Sequence, residues 1–256
     1  MPRSIARIVP PTGNLFAPTQ HAWWQQLPVS VLEQARIQSD LATFTFAEAQ
    51  VAQLEDALAA AAATDARVPL LIQLPGIQLV AAVTLLAAIG DIRRFPTAQQ
   101  LVGYAGLGAR IHDSGQVRRT GRITKAGRRD LRYIMVEAAH SASRWHGHWR
   151  AEFTRLRAHV GHRKALVAIA RKLLVVVWHV LTHETADRHA EPYQVARSFM
   201  VYGYRLGREH RPDGQSVPQL VRAQLDRLGI GADLTTVAKG PSTVLRLPPS
   251  SVPTGS

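Results

Sequence analysis

The feature that most constrains the fold is a regular spacing of apolar side chains in the first quarter of the chain. Six residues follow one another at intervals of three and four: Phe44, Ala47, Val51, Leu54, Leu58 and Ala61. This spacing puts them on one stripe of an α-helix, and it is the a/d seam that two packed helices need. Two interpretations stay open at this length: an amphipathic helix on the chain's own core, and a coiled-coil arm that forms a dimer.

The composition extends the helical prediction to the rest of the chain. Of the 256 residues, 46% are hydrophobic but only 6% are aromatic, so the core must consist mostly of Leu, Val, Ile and Ala. Such a composition favours helices over sheet, and we predict a mainly α fold. The chain contains no cysteine, which excludes disulfides and thiolate metal sites.

Breaks in the helical pattern predict four segments. Residues 1–22 contain four prolines and form an irregular N-terminal arm. A helical, coiled-coil-like segment follows over residues 23–66, and a helical domain over residues 67–207. Residues 208–256 form a weakly structured tail, which we expect to be disordered from Gly240 onward.

The chain is expected to be cytoplasmic and to have no membrane partner. Its N-terminus lacks the long apolar run of a signal peptide. The apolar run Ala165–Val180 is interrupted by Arg171 and Lys172, so it predicts a buried helix rather than a membrane span.

The charge balance points to a polyanionic partner. Lys and Arg together number 31 against 18 acidic residues, a net charge of +13, although charged residues make up only 19% of the chain. Arginine predominates among the bases, and its planar guanidinium donates two-pronged hydrogen bonds to phosphate. We therefore expect binding to nucleic acid.

The basic charge is concentrated in one glycine-punctuated segment, which is predicted to form a loop or short extended pieces. Only Asp113 and Asp130 oppose its bases. Glycines let the main chain approach a phosphate chain closely, so we predict nucleic-acid contact here instead of a merely solvated face. The predicted contacts are Arg110, Arg118, Arg119, Arg122, Lys125, Arg128, Arg129 and Arg132.

A second candidate contact is the turn Leu74–Ile77, which joins two predicted helices. In a helix-hairpin-helix, the main-chain N–H groups of such a turn and the start of the second helix grip a DNA phosphate, which makes Gly76 a nucleic-acid-binding candidate. Many such turns carry a second glycine where this chain has Gln78. The alternative is a plain helical hairpin in the core.

The basic segment also contains a serine, Ser114. Among arginines, its hydroxyl could attack a phosphodiester whose charge is neutralised, with His112 two residues away to shuttle the proton. From spacing alone, however, Asp-Ser-Gly is a turn in which the serine bonds the main chain.

Several histidines are candidates for metal ligands. His179 and His183 are four residues apart on one helix face, and His189 follows, but no second ligand pair has clear spacing. We therefore interpret them as structural or surface residues and assign no metal site. Tyr104 and Tyr133 stand in no recognisable nucleophile arrangement.

Taken together, the motifs resemble a known family. A PGI turn, AIGDI followed by RF, a YAGL element, an SG step, G-I-K-G and LR occur in this order between Leu70 and Ala142, and looser similarity continues to Gly207. The joined pattern resembles the C-terminal domain of the IS110-type insertion-sequence transposases. These recombinases carry a RuvC-like N-terminal nuclease domain and are guided by a bridge RNA. Residues 67–207 would then be the transposase C-terminal domain.

The resemblance implies a role for Ser114 as the nucleophile that attacks DNA and forms a 5′-phosphoserine intermediate. It makes the Gly/Arg-rich segment an active-site loop, and it implies DNA and a guide (bridge) RNA as partners. The family also has a coiled-coil linker before this domain, which matches residues 27–63 and implies a homo-oligomer assembled through the helical arm.

One departure from the family changes the functional expectation. Its RuvC-like domain supplies four acidic residues that bind Mg²⁺, whereas residues 1–22 contain no Asp or Glu. The resemblance thus implies Mg²⁺ for the full-length family but no cofactor in this chain, which we expect to be a truncated transposase. The leading hypothesis is DNA transposition through Ser114. The alternatives are a non-catalytic nucleic-acid-binding remnant and a structural helical protein with a basic surface.

Overall fold

A computed structural model describes residues 9–114, 117–123 and 126–252, with the main chain alone over residues 109–114 and 117–122. The fold is mainly α, as predicted. The chain forms two compact units, residues up to Asp56 and from Ala57 onward.

The first unit contains a short helix α1 (His21–Gln25) and the first part of a long helix α2 (Val31–Thr64). Ser30 starts α2, because its hydroxyl accepts from the Glu33 main-chain N–H at 3.2 Å while the Glu33 carboxylate accepts from the Ser30 main-chain N–H at 2.9 Å. This reciprocal capping fixes the helix start. The Phe16 ring lies 5.9 Å from that of Trp24 and 5.2 Å from that of Phe44, measured between centroids.

The predicted seam on α2 is only partly covered by the chain itself. Val51 is 55% exposed and Leu54 is 64% exposed. An amphipathic helix that packs on its own core would bury these side chains. Val51 and Leu54 are thus exposed apolar positions of the seam, and both interpretations of the seam stay predictions.

The second unit is a helical domain. After α2 come α3 (Arg67–Ile72), α4 (Leu79–Ile89), α5 (Ala98–Tyr104), α6 (Arg129–Trp145), α7 (Gly147–Val160), α8 (His162–His183), α9 (Pro192–Arg205) and α10 (Val217–Leu228). The described part of this unit also contains the strands β1 (Ala109–Ser114), β2 (Val117–Ile123), β3 (Thr236–Ala238) and β4 (Val244–Arg246). They form two separate antiparallel pairs, β1 with β2 and β3 with β4.

Helix α8 is the centre of this unit. It packs against α3, α5, α6 and α7, and buries apolar residues such as Ile169, Leu173 and Val177 completely. Among the described residues, α8 is the helix long and apolar enough to cross a membrane, yet half of its apolar window is buried in the domain. This burial agrees with the prediction of a core helix over residues 165–180.

Two expectations about the C-terminal third need correction. Helix α9 was not predicted, although Pro192 at its first turn and buried residues such as Val195 and Phe199 have the helical signature. The tail over residues 208–256 was predicted to be weakly structured, with a weaker helix over Val217–Leu228 and disorder from Gly240 onward. The helix is present as α10, but the disorder is not, because the β3–β4 pair extends past Gly240. Arg222 orders this tail, because its buried guanidinium donates to the carbonyls of Pro248, Gly231 and Leu234.

Candidate nucleic-acid interface and nucleophile

The predicted active-site segment forms an antiparallel pair of strands. Ala109 pairs with Ile123 near one end, and Ser114 pairs with Val117 at the other. The register shifts between Ala109 and Ile111, where β2 has an extra residue, which is a bulge that increases the local twist. Ser114 therefore stands at the far end of β1, about 17 Å along the strand from Ala109.

The strand pair carries four of the eight predicted basic residues. Arg110 lies on β1, while Arg118, Arg119 and Arg122 lie on β2. In the register, Arg118 pairs with Asp113 and Arg119 pairs with His112. Of the two forms predicted for this segment, a loop or short extended pieces, the structure has the second, as the strands β1 and β2. Lys125 lies outside the described residues.

Close main-chain packing anchors the base of this strand pair to α5. A Cβ atom added to Gly127 would lie 2.3 Å from the Tyr104 carbonyl oxygen and 2.7 Å from the Gly106 nitrogen, so only glycine fits. Beside it, the Arg128 main-chain N–H donates to the Tyr104 carbonyl at 2.9 Å. The Arg132 guanidinium donates to the Ala105 carbonyl at 3.1 Å. Close packing therefore requires glycine at position 127, the last residue of the G-I-K-G motif, for which the sequence predicted no separate role.

The three predicted arginines on and before α6 are not equivalent. Arg128 forms an ion pair with Asp130 at 2.6 Å. The hydrogen bond from Arg128 lowers the pKa of the Asp130 carboxyl to about 2, so both groups are charged at neutral pH. Among these three described side chains, Arg129 alone makes no ion pair or hydrogen bond, and it is exposed. Arg129 is consequently the one most available to a phosphate.

The turn around Gly76 is held tightly against α6. Gly76 has a positive φ of 78°, and an added Cβ atom would lie 2.7 Å from the Ala138 carbonyl oxygen. Close packing and backbone conformation thus suffice to require glycine here. Phosphate binding at Gly76 stays a prediction.

A buried glutamine that the sequence analysis overlooked fixes this turn from the other side. Gln73 is 4% exposed. Its side-chain oxygen accepts from the Asp187 main-chain N–H at 2.9 Å, and its side-chain nitrogen donates to the carbonyls of Leu70 and Thr185 at 3.0 and 3.2 Å. These bonds tie the α3–α4 turn to the loop after α8, which no local pattern could have predicted.

The histidines interpreted as structural or surface residues line one cavity of about 620 Å³: His148, His179, His183 and His189. The rings of His148 and His189 stack with centroids 3.6 Å apart. His189 Nε2 accepts a hydrogen bond of 2.9 Å from Arg188. Within the described part of the chain, no three of the cavity's histidine or acidic side chains converge closely enough to share one metal ion.

Comparison with known proteins finds a transposase family that is similar to part of this domain. The sequence profile of the "Transposase IS116/IS110/IS902 family" matches residues 68–155, from α3 into α7. A "Probable family 20 transposase" of Pseudomonas aeruginosa is 32% identical over 145 residues, which cover 55% of this chain and 43% of that protein.

Two further relatives align over similar lengths. The "Transposase for insertion sequence element IS1111A" of Coxiella burnetii is 30% identical over 122 residues, covering 45% of this chain and 33% of the relative. The "Pilin gene-inverting protein" of Moraxella bovis is 34% identical over 120 residues, covering 45% and 37%. The chain spans less than half the length of each of these relatives. Residues 68–155, which contain the β1–β2 pair and the Gly76 turn, are thus the part of the chain that is similar to the IS116/IS110/IS902 family of transposases.

Proposed function

We propose that this chain binds DNA through the basic β1–β2 pair and the start of α6, and that Ser114 is the nucleophile for strand transfer in DNA transposition. The observation that carries the proposal is the register, which places Ser114 on the same strand pair as four arginines. The exposed Arg129 at the start of α6 supports the DNA-binding part of the proposal, because it makes no ion pair with the described residues and a phosphate could be bound there.

The proposed reaction conserves the energy of the phosphodiester bond. The Ser114 hydroxyl oxygen attacks phosphorus, a bond forms between that oxygen and the 5′-phosphate, and the bond from phosphorus to the 3′ oxygen breaks. The serine proton is transferred to the leaving 3′ oxygen, with His112 as a candidate carrier. Arginines of the strand pair would stabilise the charge that develops on the phosphate. The reverse reaction with a different 3′ hydroxyl rejoins the strands.

The residues beside Ser114 do not fit a Mg²⁺ site. Mg²⁺ prefers carboxylate oxygens. The segment from Arg110 to Arg132 contains only Asp113 and Asp130, and the Asp130 carboxylate is already paired with Arg128. We propose that the Mg²⁺ implied by the family resemblance is bound by acidic residues of the RuvC-like domain and not by residues of this segment.

The DNA-binding proposal is tested with a fluorescent 30-base-pair duplex at several salt concentrations. We expect a steep fall of affinity with salt, because each neutralised phosphate releases counterions. The double variant Arg118→Glu/Arg119→Glu is expected to weaken binding by at least about tenfold. The matched control Arg163→Glu/Lys164→Glu makes the same charge change at exposed residues of α8. Equal affinities of both double variants would refute the proposed interface.

The nucleophile proposal is tested by incubating the protein, with Mg²⁺, with a labelled duplex that covers the ends of the insertion element encoding it. We expect an adduct that resists denaturation and disappears with Ser114→Ala. If the adduct persists in Ser114→Ala, the assignment is wrong. If the wild type binds the duplex but yields no adduct, the second candidate function, a non-catalytic nucleic-acid-binding remnant, is favoured. The scarcity of acidic residues near Ser114 favours this second candidate, because the segment from Arg110 to Arg132 contains only Asp113 and Asp130.

We also propose that the exposed seam of α2 forms a homo-oligomer. The exposed side chains of Val51 and Leu54 support this proposal, because a/d residues are normally buried by a second helix. Leu54→Asp is expected to shift the sedimentation coefficient towards the monomer, whereas the control Val31→Asp, at an 89% exposed position off the seam, is expected to leave it unchanged. A monomeric wild type at all concentrations would contradict the proposal.

A guide RNA is the further partner implied by the family resemblance. The basic strand pair supports RNA as well as DNA contact, since both present phosphates. Competition between the labelled duplex and a structured RNA transcribed from the element's non-coding end tests it. An RNA that fails to compete at a hundredfold excess would argue against this partner.

A further inference from the structure

A cleft of about 310 Å³ lies beside the Gly76 turn, between the last turn of α6 and the outer side of α9. It is near the lower end of the size range of small-ligand sites. Its lining is rich in groups that bond to nucleotides, among them Gln78, Ser141, Trp145, His146, Arg197 and Ser198. It is distinct from the strand pair that carries Ser114.

Two buried polar atoms of this lining have no hydrogen-bond partner within the described residues. They are the side-chain oxygen of Gln78 and Nδ1 of His146. His146 is 95% buried, and its Nδ1 lies 3.4 Å from a Glu191 carboxylate oxygen without forming a hydrogen bond. Burial lowers the pKa of His146, so its imidazole is neutral at physiological pH. Unpaired buried polar atoms are rare in native proteins and call for an unseen partner such as a ligand or a water.

The start of α4 faces the same cleft through its N-cap residue, Gln78. The Gln78 side chain makes no capping hydrogen bond, and the first turn contains no acidic residue. The free N–H groups of this turn therefore carry a partial positive charge that favours an anion. Arg197 is exposed on the same cleft and makes no ion pair within the described part of the chain. A phosphate bound at the start of α4 would contact both these N–H groups and the Arg197 guanidinium.

Trp145 supplies a platform for a base. It lines the cleft, yet 72% of it is exposed to solvent. An indole face beside cationic groups is the arrangement on which unpaired bases stack in single-strand-binding proteins. Bases in a duplex are unavailable for such stacking, because their faces are covered by their neighbours.

We propose that this cleft binds one unpaired nucleotide of a single strand, with its base stacked on Trp145 and its phosphate at the start of α4 beside Arg197. This proposal rests on the proposed function, because strand exchange during transposition exposes unpaired nucleotides. The cleft would bind such a nucleotide at a site separate from Ser114. The edge of the base would meet the unpaired polar atoms of Gln78 and His146.

The first test compares Trp145→Ala with Tyr204→Ala, which also removes an exposed aromatic ring but lies outside the cleft. The probes are a labelled 20-nucleotide single-stranded DNA, an RNA of the same sequence and the paired duplex. Trp145→Ala is expected to bind a single strand about 5- to 150-fold more weakly and to bind the duplex as the wild type does. The single strand with the larger loss identifies the natural ligand. Tyr204→Ala is expected to leave all three affinities unchanged.

The second test separates phosphate binding from helix stability. Ser and Asp are both favourable N-cap residues, so Gln78→Ser and Gln78→Asp should each preserve or raise the melting temperature. Only Gln78→Asp adds a negative charge where the phosphate would lie. We expect it to weaken single-strand binding about fivefold or more at low salt relative to Gln78→Ser.

The outcomes distinguish this inference from the proposed function. Less than a twofold loss in Trp145→Ala, with intact duplex binding, would overturn the cleft assignment and leave the basic strand pair standing. An equal loss for duplex and single strand would also overturn it, because base stacking would not be the cause. Absence of any nucleic-acid binding by the wild-type protein would instead refute the proposed function itself.

Discussion

Replacing Gly76 by alanine tests how the turn that borders the cleft is built. The left-handed backbone of Gly76, with φ at 78°, destabilises an alanine by about 1–2 kcal/mol. The added Cβ would also lie 2.7 Å from the Ala138 carbonyl oxygen and 2.8 Å from its Cα, main-chain atoms that cannot rotate away. Such overpacking adds about 1–3 kcal/mol. We therefore expect Gly76→Ala to lower the free energy of unfolding by about 2–5 kcal/mol.

The control is Gly229→Ala, because Gly229 has a similar φ of 67° but nothing within 4 Å of an added Cβ. Gly229→Ala should lower the free energy of unfolding only by the cost of placing alanine in the left-handed backbone conformation, about 1–2 kcal/mol. Urea unfolding followed by circular dichroism measures both variants, and each 1 kcal/mol corresponds to about 2–4 °C in Tm for a domain of this size. Equal losses in the two variants would show that the turn does not press on α6, and would refute the packing argument.

Three further predictions concern interactions that the tertiary structure creates. Arg222→Met should lower the free energy of unfolding by about 2–4 kcal/mol, because three carbonyls lose their hydrogen-bond donor. The β3–β4 region should then be cleaved faster by a protease, and unchanged protease resistance would contradict this expectation. Gln73→Met should cost about 1–3 kcal/mol in urea unfolding, since it leaves the buried main-chain N–H of Asp187 unpaired; a neutral effect would show that this N–H finds another partner. Hydrogen bonds from Arg155 and Lys172 lower the pKa of the Glu152 carboxyl to about 2 in the folded protein. The ionised carboxylate therefore stabilises the fold fully above its unfolded pKa near 4.5, and this contribution is lost as the pH falls towards 2. Glu152→Gln should thus be less stable than the wild type at pH 7, by about 0.5–1 kcal/mol, and equal to it near pH 2; a difference that persists at pH 2 would refute the ionic origin.

Local patterns were sufficient wherever the signal depended on neighbours in the sequence. The apolar spacing predicted α2 and α8, and the proline and glycine of the Leu74–Ile77 turn predicted the break between α3 and α4. The missed helix α9 carried the same kind of signal, with Pro192 at its start. Its polar and aromatic composition concealed the stripe of buried residues.

The C-terminal tail is a segment whose ordered structure local sequence patterns do not predict. Its prolines, serines and glycines indicate disorder, but Arg222 on α10 reaches three carbonyls that lie 9 to 26 residues further along the chain. Asp226 likewise accepts hydrogen bonds from Ser250 and Ser251. Contacts between residues that are distant in sequence order this segment, and composition does not encode them.

The candidate site likewise combines features that local sequence predicts with features that depend on distant contacts. By itself the sequence determined the charge of the Arg110–Arg132 segment and the presence of Ser114 within it, because these depend only on residue identity. Tertiary packing forms the strand pair from this segment, pairs Arg128 with Asp130, and leaves Arg129 without a partner among the described side chains. It also brings Trp145 to a cleft that Gln78 and His146 line. The physical reason is that burial, ion pairing and convergence depend on distances between atoms that lie far apart along the chain, and only packing sets those distances.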